Sequence, residues 1–339
     1  MEFYTWQNYR CAFETVPPRA QGSQQPALLL IHPIGVGLSR KFWQPFIHQL
    51  VASGMRDRKT AADSTTDRTA VAGIQSRIYS VDLLGCGDSD MPQRAYDPKD
   101  WAEQLAHFIE TEVRSPVVLV VQGALLPVAV RLMALTRSQS TDYIKGMVLS
   151  GPPAWRLMST PTEPWKQTLA WRLFASPLGN LFYRYARREK FLDSFSKRQL
   201  FESPEDVSEQ WLSMLDKGAQ DIDSRYAVFS FLAGFWRQDY TQAIARIQQP
   251  VLIVMGERAS TIDRSAAQKE DAREKESQQD ASRQRLQDYL DHFPRAQGVT
   301  ISGRNVLPYE STSEFVEAIA PFIALLSPSK TSPHTKTST

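Results

Sequence analysis

The chain has 339 residues, with 39 Lys and Arg against 37 Asp and Glu, so its formal net charge is +2. With 42% apolar and 22% charged residues it has material for an ample core, which excludes wholesale disorder, and its near-neutral balance gives no electrostatic reason to expect nucleic acid as a partner. Two cysteines, Cys11 and Cys86, cannot make a disulfide framework or a Cys-rich metal site, and no apolar run reaches the roughly 18–20 residues that span a bilayer. The amino-terminal MEFYTWQNYR lacks the basic start and apolar core of a signal peptide. The expectation is a cytoplasmic protein with no cofactor and no metal.

In chain order, Trp6 precedes Gln7-Asn8, and Tyr9, Cys11 and Phe13 alternate, which predicts an antiparallel hairpin at a sheet edge. Short apolar runs then recur: Ala27–Ile31, Arg77–Leu84, Val117–Val121, Gly146–Ser150, Val251–Met255 and Val299–Ser302. Continuous rather than alternating apolarity is what strands buried on both faces need, so these runs predict a mostly parallel sheet covered by helices. Apolar residues three or four apart predict helices over Trp43–Val51, Trp101–Val113, Pro127–Leu135 and Ser313–Leu326. Ser53–Gly73 and Thr261–Gln284 are polar and charged and read as mobile surface insertions, the second with the charge pattern of a solvated helix. The tail from Ser327 has nothing to bury and reads as disordered. Pro152–Tyr240 is rich in Trp, Phe, Tyr and Arg at helical spacing without a buried strand; it predicts a helical cap (152–240) inserted into an α/β core (1–151 and 241–326).

Several stretches converge on one family. Ile31-His32-Pro33-Ile34-Gly35 ends the first buried strand, and Asp82-Leu83-Leu84-Gly85-Cys86-Gly87-Asp88-Ser89 ends the next. VVLVVQGALLP runs from a strand directly into a helix, Gly256 follows a late strand, and GRNVLPYESTSEF precedes the last helix. Together they resemble the α/β-hydrolase superfamily over about residues 1–326, in its capped branch of esterases, epoxide hydrolases and dehalogenases. LLLIHPIGVG and LSGPPAW further resemble a group of cyanobacterial α/β-hydrolase-like proteins.

The resemblance implies a nucleophile on a strained strand-to-helix turn, an acid and a His on later loops, and two backbone N–H groups as an oxyanion hole. Mapped onto this chain, the nucleophile position is Gly123, the acid position Ala259 and the base position Asn305. Glu257 and Asp263 are nearby carboxylates with the wrong placement. None of the five His (His32, His48, His107, His292, His334) stands at the base position. The oxyanion donors correspond to the N–H groups of Ile34 and Ala124. With all three triad positions lacking their usual groups, ordinary acyl-transfer chemistry is expected to be absent.

The expected function is a non-catalytic binding or regulatory module with a capped apolar pocket, whose candidate lining is His32, Cys86, Gln122, Trp155 and Trp236. The alternative is an esterase-like or lyase-like enzyme with displaced residues, in which Cys86 and His32 form a reactive pair near Asp82. His32 otherwise reads as a structural residue bonded to loop backbone, and Asp82, Gly85, Gly87 and Ser89 as turn chemistry. An uncharged small ligand is the expected partner. From Arg172 to Arg198 seven basic residues stand against two acidic ones among aromatics, which leaves open a peripheral contact with an anionic membrane.

Overall fold

The computed structural model describes residues 1–18, 23–60, 74–138, 143–259 and 274–327. The chain opens with a hairpin, β1 (Glu2–Trp6) and β2 (Tyr9–Val16), turned by Gln7 and Asn8 at φ +48° and +66°. Two successive left-handed residues match the twist of a two-residue hairpin loop, as the sequence predicted. β3 (Ala27–Ile31) leads through a loop and a short turn, Arg40–Trp43, into α1 (Gln44–Thr60). β4 (Ile78–Val81) is followed by α2 (Pro98–Phe108), β5 (Val117–Gln122), α3 (Leu126–Ser138) and β6 (Ile144–Ser150).

The chain then leaves the sheet and is helical: α4 (Trp155–Ser159), α5 (Pro164–Phe174), α6 (Pro177–Ala186), α7 (Glu189–Phe195), α8 (Glu209–Gly218) and α9 (Arg225–Leu232). No strand occurs among the described residues between β6 and the return to the sheet. That return runs through α10 (Thr241–Ala245) into β7 (Val251–Gly256), then α11 (Glu274–His292), β8 (Ala296–Ile301), α12 (Leu307–Glu310) and α13 (Thr312–Leu325).

The eight strands form one sheet in the order β1-β2-β4-β3-β5-β6-β7-β8, parallel except where β2 meets β1 and β4. Every residue of β3, β4, β5 and β7 is buried, which explains their unbroken apolarity. One large apolar cluster lies on each face, with α2 and α3 in one and α1 and α13 in the other.

Three predicted boundaries shift for local reasons. The strand expected over Arg77–Leu84 runs only from Ile78 to Val81, and Asp82 after it spends its carboxylate on the N–H groups of Arg40 and Asp88. The helix expected from Trp101 starts at Pro98: Asp97 accepts from the N–H of Lys99 and Asp100, and Asp100 in turn accepts from the Asp97 N–H. The last strand is longer than Val299–Ser302 and mostly exposed or half-buried, since β8 is the sheet's far edge.

Of the two expected insertions, the first begins inside α1 and its residues 61–73 lie outside the described residues, as do 261–273 of the second and 328–339 of the tail. The rest of the second insertion is the first part of α11, and it is anchored. Ser282 donates to the Gly256 carbonyl at 2.5 Å and, further along, Tyr289 donates to the Pro153 carbonyl at 2.8 Å.

Candidate functional site

β5 ends at Gln122, and the next residue, Gly123, takes φ +57° before the chain turns through Ala124 and Leu125 into α3. Pro127 sits in the first turn of that helix, where no intrahelical N–H is lost. This is a sharp strand-to-helix turn whose apex is glycine. A Cβ built on Gly123 would meet only the Gly151 carbonyl oxygen, at 3.6 Å, an ordinary contact. Gly151 itself directly follows β6, at φ +52°.

Three loops meet beside this apex. Gln122 donates from Nε2 to the Asn305 carbonyl at 2.6 Å. The Asn305 side chain points the other way: its Nδ2 donates to the Gln199 carbonyl at 2.7 Å, and its N–H to the Leu200 carbonyl at 3.1 Å. The loop after β8 is thereby tied to the segment between α7 and α8. Further ties run from Gly303 N–H to Glu202 at 3.0 Å and from the Arg304 guanidinium to the Arg198 carbonyl at 2.6 Å. Ala259 is buried and closes a turn, its N–H donating to the Gly256 carbonyl at 3.1 Å. Glu257 is exposed, and Asp263 lies outside the described residues.

Two polar atoms at the apex are buried without a partner, Gln122 Oε1 and Ser150 Oγ. They come from residues directly paired across β5 and β6. Buried polar groups are nearly always hydrogen-bonded, so two unpartnered ones side by side depart from that rule. Ser150 was not singled out from sequence; only the register opposite Gln122 identifies it. The N–H groups of Ile34 and Ala124 take part in no hydrogen bond among the described residues.

His32 and Cys86 do not form a reactive pair. His32 Nδ1 lies 2.8 Å from the Pro33 carbonyl, and Nε2 accepts from the Leu83 N–H at 3.1 Å, so both ring nitrogens serve backbone. Burial pushes its pKa below the usual imidazole value, against the pull of the nearby Asp82 charge. Cys86 is buried, and desolvation raises its thiol far above the ordinary range, so it holds no thiolate near neutrality.

A neutral buried His has a consequence in solution. The unfolded imidazole takes up a proton near pH 6.5 and the folded one does not, so stability falls as pH drops from about 6.5 toward the folded value, by at most about 1.4 kcal/mol per pH unit from this group. Urea midpoints should therefore rise from about pH 5 to about pH 6.5, and the slope should be visibly shallower in His32→Gln. Equal slopes in the two proteins would mean that His32 is charged in the fold.

The Asp82–Ser89 turn is structural throughout. Asp82 accepts from the N–H of Arg40 at 2.7 Å and of Asp88 at 2.8 Å. Ser89 donates to the Asp82 carbonyl and accepts from the Ala12 N–H, both at 2.9 Å. Gly87 sits at φ +59° with the Asp82 carboxylate 2.2 Å from where a Cβ would be. Into this turn reaches Arg40, a residue the sequence did not mark. Its guanidinium is 2% exposed and pairs with Asp82, with Asp88 at 2.9 Å and with Glu14 at 2.9 Å. Burial acts to lower its pKa, but Asp82 and the other two carboxylates outweigh it and hold the charge above the ordinary value.

Trp155 and Trp236 each have a ring partner. Trp155 stacks on His292 at 3.9 Å and meets Tyr289 edge-on, and Trp236 stacks on Phe231 at 4.9 Å while donating to its carbonyl. Gln122 directly precedes the apex in the chain.

The sequence profile of the Alpha/beta hydrolase family matches residues 28–319. Among solved structures, a thermophilic esterase from Thermogutta terrifontis superposes with TM-score 0.63 at 16% identity, covering 94% of this chain and 95% of its own. The enol-lactonase from Burkholderia xenovorans LB400 does so with TM-score 0.63 at 12% identity, covering 95% and 99%. An esterase from Exiguobacterium antarcticum gives 0.61 at 13%, covering 93% and 96%. No curated protein matches the sequence.

Proposed function

We propose that this protein, which belongs to the alpha/beta hydrolase family, is a binding module that holds a small uncharged ligand at Gly123 and does not hydrolyse it. What supports this reading is a strand-to-helix turn whose apex, Gly123 at φ +57°, carries no side chain. Acyl transfer needs a nucleophile and a base that takes its proton. Gly123 has no side chain, and the amide at the base position is bound to a cap carbonyl. Fold alone assigns no activity, so the catalytic names of the structural neighbours do not transfer.

What remains at the apex suits recognition. The N–H groups of Ile34 and Ala124 can donate to a ligand carbonyl, while Gln122 Oε1 accepts and Ser150 Oγ does either. These are backbone, amide and hydroxyl groups, which suit an uncharged ligand with one polar end and an apolar body.

The test uses p-nitrophenyl acetate and, as a non-hydrolysable probe, octanamide. Neither the wild type nor Gly123→Ser should turn over the ester above denatured protein, and the variant should stay folded, losing about 1–2 kcal/mol because Ser is strained at positive φ. Octanamide should raise the melting temperature of the wild type, and Gly123→Leu should abolish the rise. Turnover in the wild type that Gly123→Leu removes would overturn the reading, as would the absence of any octanamide shift.

A further inference from the structure

Helices α5 and α6 form a hairpin on the cap. Only Ala175 and Ser176 separate them, and the backbones approach closely at Gly179, where a Cβ would lie 1.9 Å from the Phe174 carbonyl oxygen. Their inner faces close on one ring of α9: Phe174 stacks on Phe229 with centroids 4.7 Å apart, and Tyr183 meets it edge-on at 5.8 Å. The sides turned away from that ring are apolar as well. On α5, Trp165, Leu169 and Leu173, spaced four apart, are 63%, 61% and 54% exposed. On α6, Leu178, Leu181 and Tyr185 are 65%, 66% and 52% exposed, while Phe182, 39% exposed, itself stacks on Phe229 at 6.2 Å. Seven of the twelve exposed large apolar side chains among the described residues fall on these two short helices. Single exposed apolar residues are ordinary; a contiguous face of them marks a surface that is covered in use.

The charges decide what covers it. From Pro164 to Arg188 the chain carries five basic residues (Lys166, Arg172, Arg184, Arg187 and Arg188) and no acidic one. Arg187 is tied to the Ala219 and Gln220 carbonyls, and Lys166 pairs with Glu163 at 3.0 Å. Arg172, Arg184 and Arg188 are exposed and make no ion pair among the described residues. A second copy docked on the same face about a twofold axis would set cations against cations. An anionic lipid surface meets both features at once: headgroups attract the arginines, and the leucines enter the acyl boundary with Trp165 and Tyr185 at the headgroup level. No helix among the described residues is long and apolar enough to cross a membrane, so the contact lies in the interface plane.

We propose that the outer face of the α5–α6 hairpin docks this protein on anionic membranes. The full chain should co-sediment with vesicles of phosphatidylcholine plus phosphatidylserine and much less with phosphatidylcholine alone, and salt should weaken the binding. Leu169→Ser/Leu173→Ser/Leu181→Ser, all at exposed positions, should keep the wild-type melting temperature and lose about tenfold or more in vesicle binding. Arg172→Gln/Arg184→Gln/Arg188→Gln should lose the phosphatidylserine preference. Tryptophan emission should shift to the blue on adding vesicles, and Trp165→Phe should remove most of that shift. No sedimentation with anionic vesicles overturns the proposal, and so does binding that survives the leucine variant. Concentration-dependent self-association without vesicle binding, relieved by the same leucine variant, also overturns it and assigns the face to a second copy or a protein partner.

Discussion

Replacing Arg40 by Met should lower the free energy of unfolding by about 3–5 kcal/mol, because it leaves the Asp82 carboxylate buried beside no cation. Asp82 is fully buried and Arg40 nearly so, whereas Glu14 and Asp88 are each more than a third exposed and contribute less. The guanidinium fork is what allows one residue to serve three carboxylates. Arg40→Lys, a single point charge, should therefore recover only part of the loss. Arg40→Met/Asp82→Asn should be more stable than Arg40→Met alone, since the uncompensated charge is gone. Denaturant midpoints at pH 7 decide it: an Arg40→Met protein within about 1 kcal/mol of the wild type would mean that the backbone donors of Arg40 and Asp88 suffice to hold Asp82. The bridge pins the loop after β3 to the turn after β4, and the β3 loop also carries the Ile34 N–H. Its loss should therefore weaken octanamide binding too.

The second large effect is expected where the cap meets the core. Gly37 has φ +76°, and a Cβ there would lie 1.9 Å from the Leu215 carbonyl oxygen in α8; reciprocally, a Cβ on Gly218 would lie 2.1 Å from the Gly37 carbonyl oxygen. Two backbones touch here without side chains between them. Gly37→Ala should cost about 1–2 kcal/mol for the left-handed conformation and about 1–3 kcal/mol more for the overlap, because the colliding atom is backbone and cannot rotate away. The loss should show as a lower urea midpoint together with a weakened near-ultraviolet signal from the buried Trp211 of α8. Gly218→Ala should act in the same direction, and the double variant should cost less than the two single losses added, since one displacement of α8 relieves both overlaps. A Gly37→Ala protein with wild-type stability would mean that the cap shifts freely on the β3 loop.

Much of this architecture was legible because its cause is local. The runs Ala27–Ile31, Val117–Val121 and Val251–Met255 are apolar throughout, and only a strand covered on both faces requires that. Gln7-Asn8 between Trp6 and Tyr9 is a turn in any context that pairs the flanking strands. The bare apex at Gly123 could be located because the resemblance to the α/β-hydrolase superfamily places the turn residue where VVLVVQ runs into the next helix. The structural roles of His32 and Asp82 followed from their places at strand ends.

What the sequence could not show depends on residues far apart in the chain. Arg40 reads as an ordinary basic residue before a helix; only folding places it among Glu14, Asp82 and Asp88. Ser150 becomes part of the apex through its register with Gln122, and Asn305 becomes a tether because the cap presents Gln199 and Leu200 to it. The apolar side chains of this segment looked alike in sequence, but packing on Phe229 divides them: Phe174 and Tyr183 face inward, while Trp165, Leu169 and Leu181 are left on the outside. Hydrophobic pattern and turn chemistry are read from neighbours along the chain, so the sequence by itself determined the layers and the bare turn. Burial of a charge, pairing across strands and the exposure of one helix face are set by neighbours in space, and those the tertiary structure alone decided.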